Sequence, residues 1–285
     1  MSQHAATHLQ HLQHRQPLTR LGLFALGLVL LGLAACGTGQ APRVSSTPTA
    51  GVEPYTASDE PPQVRRARIR YELAANYYEQ GQTTVALDEI KLSLAADPNY
   101  GPAHILRGLV YTRLNDLVLA EESFRRALQI NPRDAQAQHA YGLFACEQGR
   151  YPQANELFNQ ALANPTYSGR SRTWLVQGVC QIRAGQLQEA EATLSRAYEF
   201  DPSNPIAAYN LASLKHRRGD HQGAQFIIRR INNSELANAE SLWLGVKVEH
   251  SMGNDVAAAQ LGQQLGRRFP QSAQWAAYQR GAFNE

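Results

Sequence analysis

The stretch "GLVYTRLNDLVLAEESFRRALQINP" (108–132) carries a pattern of small residues, one turn residue and a closing proline that decides the fold. A glycine opens it, Asn115 follows seven residues later, Ala120 comes five residues after that, and Pro132 closes it. The stretch "GVCQIRAGQLQEAEATLSRAYEFDP" (178–202) has the same pattern. A pattern that recurs at a fixed period indicates a repeat architecture, in which every unit is the same small arrangement of helices.

The pattern continues along the chain with a step of 34 residues and a two-residue insertion near 168–170. The small opening residues are Ala74, Gly108, Gly142 and Gly178, and the turn residues are Gly81, Asn115, Gly149, Gly185 and Gly219. The later alanines are Ala86, Ala120, Ala154, Ala190 and Ala224, and the closing prolines are Pro98, Pro132, Pro165 and Pro202. This period and these residue types resemble the tetratricopeptide repeat (TPR), a helix hairpin. We predict repeats over about 67–100, 101–134, 135–170, 171–204, 205–238 and 239–272, with the sixth matching the pattern weakly.

Each residue type in the pattern has a physical reason. Small side chains let the two helices of a hairpin approach closely, and the Gly or Asn ends the first helix in a left-handed cap. The proline stops the second helix, and because one hairpin cannot cover its own apolar face, neighbouring hairpins stack. The predicted fold is all-α: a right-handed superhelical solenoid of five to six TPR hairpins over 63–285, preceded by a signal peptide and a disordered tether.

The N-terminus resembles a bacterial lipoprotein signal. Residues 1–20 contain Arg15 and Arg20 and no acid, and an apolar run of 15 residues follows at 21–35. This run is shorter than the roughly 20 residues of a membrane-spanning helix, and with its basic lead it indicates a secretion signal, 1–35. The sequence "LAAC" (33–36) resembles the lipobox, which implies cleavage before Cys36 and lipidation of its thiol. The alternative is an ordinary cleaved signal with an incidental cysteine.

Gly37 follows the cysteine in place of the aspartate that commonly retains lipoproteins at the inner membrane. The expected location is therefore the periplasmic face of the outer membrane, where acyl chains on Cys36 would hold the protein. Residues 36–62 are rich in proline and poor in large apolar residues, so we predict a disordered linker. Residues 36–285 carry 25 basic and 24 acidic side chains, and such a near-neutral balance argues against a nucleic-acid partner.

The concave surface of a TPR solenoid is formed by the first helix of each repeat, at its second, fifth, ninth, twelfth and thirteenth positions. The side chains predicted there form a largely apolar trough with charges along one edge. We assign the partner-binding groove to Tyr71, Tyr78, Ile105, Leu109, Arg113, Leu143, Leu175, Val179 and Ile182, and the same register adds Ala75, His139, Cys146, Glu147, Arg183, Tyr209, His216 and Arg217. Such a strip suits an amphipathic helix or an extended segment with apolar anchors. The alternative is that some of these side chains pack between repeats.

Cys146 and Cys180 lie one repeat apart on neighbouring first helices. In an oxidising compartment they could form a disulfide, provided that their Cα atoms lie within about 7 Å. The alternative is two buried thiols that act as small apolar residues.

Catalytic and cofactor motifs are missing from the sequence. It contains no Gly-rich phosphate loop, no Gly-x-Ser-x-Gly elbow and no His-Glu-x-x-His zinc pair. His216 and His221 flank a turn, and we interpret them as a solvated pair and assign no metal site. We therefore expect a binding protein without catalytic residues, metal or cofactor.

The sequence "HAYGLFACEQGRYPQANELFNQALANPTY" (139–167) resembles the third repeat of the type IV pilus biogenesis and stability lipoproteins, the PilF/PilW group. The resemblance extends through "GVCQIRAGQLQEAEATLSRA" (178–197), "ESLWLGVKVEHSMGN" (240–254) and "RRFPQS" (267–272). His139 and Ala140 depart from the family, which usually has asparagines there.

The resemblance implies a pilotin, a lipoprotein that binds the pilus secretin subunit and promotes its localisation and multimerisation in the outer membrane. Pilus biogenesis, pilus stability and twitching motility would depend on it. The alternative is a general periplasmic TPR adaptor that scaffolds envelope enzymes.

Overall fold

The computed structural model describes residues 59–283, which form thirteen α-helices and no strand. The helices are α1 (Pro62–Glu79), α2 (Thr83–Ala96), α3 (Gly101–Arg113), α4 (Leu117–Ile130), α5 (Ala135–Glu147), α6 (Tyr151–Ala163), α7 (Arg170–Arg183), α8 (Leu187–Phe200), α9 (Pro205–Arg217), α10 (His221–Asn232), α11 (Ala239–Ser251), α12 (Asp255–Arg268) and α13 (Ala273–Gln279). The predicted signal peptide, Cys36 and most of the predicted linker lie outside the described residues.

The first twelve helices pair as six consecutive hairpins, from α1–α2 to α11–α12, and this confirms the predicted TPR solenoid. The sixth hairpin is complete, and the short helix α13 packs against both of its helices. The first helix begins at Pro62, earlier than the repeat register at 67 indicates. A proline fits the first turn of a helix because the backbone N–H that it lacks would have no partner within the helix.

The turn inside each hairpin depends on a left-handed residue. Gly149 has a φ of 72°. This conformation lets its N–H bond to the carbonyl of Cys146 at 3.0 Å and lets the next N–H, of Arg150, bond to the carbonyl of Ala145 at 2.9 Å. Asn115, with a φ of 60°, has the same role in the second hairpin and is the one described non-glycine residue with a positive φ. These closing bonds satisfy carbonyls that the end of the helix would otherwise leave unpaired.

Close approach of the two helices explains the small residues. A Cβ atom added to Gly108 would lie 2.6 Å from Cε1 of Phe124, which is fully buried. The ring of Phe124 therefore occupies the space that any larger residue at 108 would fill.

The hairpins stack in a way that makes one face continuous. The first helices of successive repeats contact one another, from α1 with α3 to α9 with α11, and each second helix contacts the first helix that follows it. No second helix contacts the second helix of the next repeat within the described part of the chain. The first helices therefore form the inner, concave face and the second helices diverge on the outside.

Candidate functional site

The inner face carries a strip of half-buried apolar side chains, which we call the trough. It comprises Tyr71 and Tyr78 on α1, Ile105 and Leu109 on α3, Leu143 on α5, and Leu175, Val179 and Ile182 on α7, while Arg113, at the end of α3, is exposed. These nine residues are the predicted groove, and all of them lie on first helices. Each of the eight apolar side chains exposes part of its surface, which leaves a partner something to contact.

Most trough residues also contribute to packing between repeats. Tyr71 and Tyr78 pack against a buried cluster that includes Leu106 and Val110 of the next repeat. Leu109 packs against a cluster that includes Phe144. Packing on one side holds these side chains in place, so that the exposed side is a preformed surface.

Charged side chains lie along one edge of the trough. Arg113 places its guanidinium carbon 3.8 Å from the centroid of the Tyr78 ring and donates a hydrogen bond of 2.7 Å to the Tyr78 carbonyl. Further along the same edge, Glu147, Arg183 and Arg217 are exposed. The edge therefore presents both signs of charge beside the apolar strip.

The trough assignment is wrong for His139 and Cys146, which the repeat register placed on the open surface. His139 is 7% exposed and Cys146 is 4% exposed. Both side chains are buried because they point towards α7: His139 forms a hydrogen bond with Thr173, and Cys146 is covalently joined to Cys180. In repeat three the trough is therefore narrower and depends on Leu143.

His139 belongs to a buried chain of hydrogen bonds at the two-residue insertion. Its Nδ1 lies 2.8 Å from Oγ1 of Thr173, which lies 3.1 Å from the hydroxyl of Tyr167. Since Thr173 donates its own proton to the carbonyl of Gly169, it accepts from both neighbours. Burial, with a smaller contribution from Arg172, lowers the pKa of His139 to about 4, so the ring is neutral at physiological pH.

Cys146 and Cys180 form a disulfide that joins α5 to α7, with their Cα atoms 6.0 Å apart. Both residues are buried next to Ala145 and Phe158. The bond therefore links repeats three and four under the middle of the trough.

The sixth-repeat end of the inner face holds aromatic residues that were not assigned from the sequence. The ring of Phe283 lies 4.4 Å from that of His250 and 5.8 Å from that of Trp243, measured between centroids. Trp243 and His250 occupy the fifth and twelfth positions of the weakly matching sixth repeat. Extending the register through that repeat would have found Trp243, whereas Phe283 lies beyond any repeat.

His216 and His221 face each other with their Nδ1 atoms 3.1 Å apart, and both are half-buried. Burial is the main cause that lowers the pKa of His216, followed by the nearby His221 and Lys247. Within residues 59–283 no three or more His, Cys, Asp or Glu side chains are grouped closely enough to hold a metal ion.

None of the helices between residues 59 and 283 combines the length and the apolar character needed to cross a bilayer.

The repeat region matches models of a known protein family. Three models of the tetratricopeptide repeat match residues 101–134, 142–205 and 181–245.

The individual proteins to which this chain is similar include factors of type IV pilus assembly. The type IV pilus assembly protein PilF of Pseudomonas aeruginosa is 27% identical over 214 residues, which cover 75% of this chain and 85% of PilF. The crystal structure of PilW, described as a widely conserved type IV pilus biogenesis factor, is 32% identical with a TM-score of 0.66 and covers 74% of this chain and 97% of that one. The structure of Pseudomonas aeruginosa PilF is 25% identical with a TM-score of 0.70 and covers 77% of this chain and 99% of that one.

Proposed function

The chain belongs to the family of type IV pilus biogenesis factors that includes PilW and PilF, and we propose that within this family it acts as a pilotin for the pilus secretin. In this role the protein binds secretin subunits and promotes their multimerisation in the outer membrane. The observation that carries the proposal is the trough: a continuous strip of half-buried apolar side chains along the first four inner helices.

The chemistry of the trough favours a protein segment as its ligand. An apolar strip with charges at one edge fits the apolar face of an amphipathic helix, or an extended segment whose alternate side chains are apolar. Arg113, Glu147 and Arg183 at the edge would then fix the direction of the bound segment by charge.

Membrane attachment is the second part of the proposal. Cys36 carries acyl chains, and Gly37 after it directs the lipoprotein to the outer membrane. Each buried acyl CH₂ group contributes about 0.8 kcal/mol, so several chains hold the protein firmly. The linker that follows allows the solenoid to reach a partner away from the bilayer surface.

The decisive experiment measures the heat-stable secretin multimer in outer membranes of a strain that lacks this gene. The proposal predicts loss of the multimer, with secretin monomer elsewhere in the envelope, and its return when the full chain is restored. A Cys36→Ala chain should fail to restore it. An intact multimer with few surface pili would instead assign the role to pilus stability.

Substitutions that introduce a charge into the trough test whether it is the binding site. Leu143→Asp and Leu109→Asp should abolish secretin capture, because each places a carboxylate in the apolar strip. Val118→Asp is the matched control, since Val118 lies on a second helix and is 79% exposed. Loss of binding with helicity retained supports the trough, and retained binding in both Leu variants would exclude it.

A general periplasmic adaptor is the alternative function. It would follow if both the secretin multimer and the pili were normal in the deletion strain. The proteins that co-purify with the full chain would then identify the partners.

A further inference from the structure

The outer face contains a polar cleft that is separate from the trough. It lies between the second helices α6 and α8, with the first helix α7 as its floor, and has a volume of about 490 Å³. Its lining is rich in amide and charged side chains, from Asn155 and Asn159 on α6 to Glu189 and Arg196 on α8. This size falls within the range of small-ligand pockets, about 300–1,000 Å³.

Four amides form a cluster in the cleft: Gln177 and Gln181 lie on α7 and Asn155 and Asn159 lie on α6. Gln177 donates to Oδ1 of Asn155 at 2.7 Å and to Oδ1 of Asn159 at 2.9 Å, and Gln181 donates to Oδ1 of Asn155 at 3.2 Å. Because the side-chain oxygens of both asparagines are used inside this cluster, their Nδ2 groups are left as donors. We find no protein acceptor for either Nδ2 group among the described residues.

Gln181 adds a second indication of a ligand. Its side chain is buried, at 6% exposure, and its Oε1 atom has no hydrogen-bond partner within the described chain. Buried polar atoms in native proteins nearly always have a partner, and the described chain supplies none for this one.

The upper part of the cleft supplies an aromatic surface and two charges. Trp174 is half-buried, and its ring lies 6.0 Å from that of Phe200, which is 62% exposed. Glu189 and Arg196, both on α8, are exposed and form no ion pair with another described residue. The guanidinium of Arg170 lies over the Trp174 ring, 5.1 Å from its centroid, so the two charges and the remaining ring surface are available to a molecule that enters from solvent.

We propose that this cleft binds a short saccharide. Planar amide, carboxylate and guanidinium groups suit neighbouring sugar hydroxyls, because each hydroxyl both donates and accepts a hydrogen bond. An aromatic side chain offers its face to the C–H groups of a sugar ring. The main apolar positions of the lining are Leu162, Ala163 and Ala192, which form no row of pockets for alternate side chains of a peptide.

The amide cluster does not recur in the next repeat. At the positions equivalent to Gln177 and Gln181, the next repeat has Leu211 and Lys215. Leu211 is a buried core residue there, and Lys215 is paired with Asp220. A polar cluster at Gln177 is therefore not a requirement of the fold.

The test measures saccharide binding to the purified full chain by NMR titration and by tryptophan fluorescence. The probes are the trimer of N-acetylglucosamine and cellotriose, which differ in the acetamido groups. We expect saturable binding of at least one trimer, weakened tenfold or more by Arg196→Ala and by Asn159→Ala, both of which change exposed side chains.

Arg230→Ala is the matched control, because Arg230 is exposed and occupies the position of Arg196 one repeat later. It should leave the affinity unchanged. If neither trimer binds at millimolar concentration, or if both cleft variants bind as the control does, the proposal is wrong. Saturable binding of an unstructured polyalanine peptide at the same residues, without saccharide binding, would also overturn it and assign the cleft to peptides. The cleft contains no trough residue, so these outcomes are independent of the secretin proposal.

Discussion

Arg113 reaches from α3 back to the first repeat, where its guanidinium stacks over the ring of Tyr78 and donates to the Tyr78 carbonyl at 2.7 Å. One side chain thus ties the end of the first inner helix to the second. The contact lies at the open end of the solenoid, where α1 has a neighbour on one side.

Replacement of Arg113 should loosen the first hairpin. An exposed cation–π contact contributes about 0.5–1 kcal/mol, so Arg113→Ala should accelerate amide exchange in α1 by about two- to fivefold. Arg183→Ala is the control, because Arg183 occupies the same position in repeat four. Equal exchange in the two variants would mean that the stacking contact does not stabilise α1.

Removal of the disulfide should destabilise the middle of the solenoid. The bond closes a separation of 34 residues, for which chain entropy predicts a contribution of about 4 kcal/mol. The double variant Cys146→Ala/Cys180→Ala should therefore unfold at lower urea concentration, as should the wild type under reducing conditions. If reduction leaves the urea midpoint unchanged, the bond contributes nothing to stability.

The buried His139 should make stability depend on pH. Its pKa is about 4 in the folded protein against an ordinary value of 6.5, so the unfolded chain binds a proton more readily between these values. Stability is therefore complete above pH 6.5 and falls as the pH decreases towards 4, with a loss on the order of 2 kcal/mol at pH 5.

His139→Gln should remove this loss. Urea midpoints measured at pH 7.5 and at pH 5 should then differ less for the variant than for the wild type. Parallel changes in both proteins would assign the pH dependence to other groups.

Arg229 and Glu249 form an ion pair, and replacing one partner should reduce the stability of the protein by a different amount from replacing the other. Glu249 has a side chain that is 2% exposed, and it accepts from Arg229 at 2.8 Å, from Gln225 and from Asn254. Arg229 is 52% exposed and can turn to water when its partner is removed. Arg229→Met leaves a buried carboxylate without its cation, and breaking a buried pair in this way costs about 3–5 kcal/mol at most.

Glu249→Gln should therefore be the milder change, because Gln225 and Asn254 can still bond to the amide oxygen. Urea unfolding of the two variants compares them directly. A larger loss of stability for Glu249→Gln than for Arg229→Met would contradict the view that the cost comes from burying a carboxylate without its cation.

The sequence predicts the hairpins well because the end of each helix is determined by residues that are close to it in sequence. Gly149 and Asn115 each determine a turn within a few residues, and their spacing carries the repeat register. α1 begins at Pro62, before the first repeat of the predicted register at 67, because the helix extends beyond the residues that carry the repeat pattern.

The site is less predictable because side-chain burial depends on neighbours one repeat away. The register places His139 on the inner face, but the two-residue insertion brings Thr173 and Tyr167 over it. Phe283 could not be assigned either, since its contact with His250 follows from the fold of the last residues rather than from a repeat.

The unequal contacts of first and second helices separate two kinds of surface. Each inner helix contacts the inner helix of the next repeat, so a ligand of the trough contacts several repeats at once. A substitution in one repeat therefore also alters the binding surface of its neighbour. The outer helices stand apart, so each cleft between them belongs to a single junction. The solenoid can therefore acquire or lose an outer binding site through a few substitutions while its shared inner surface stays the same.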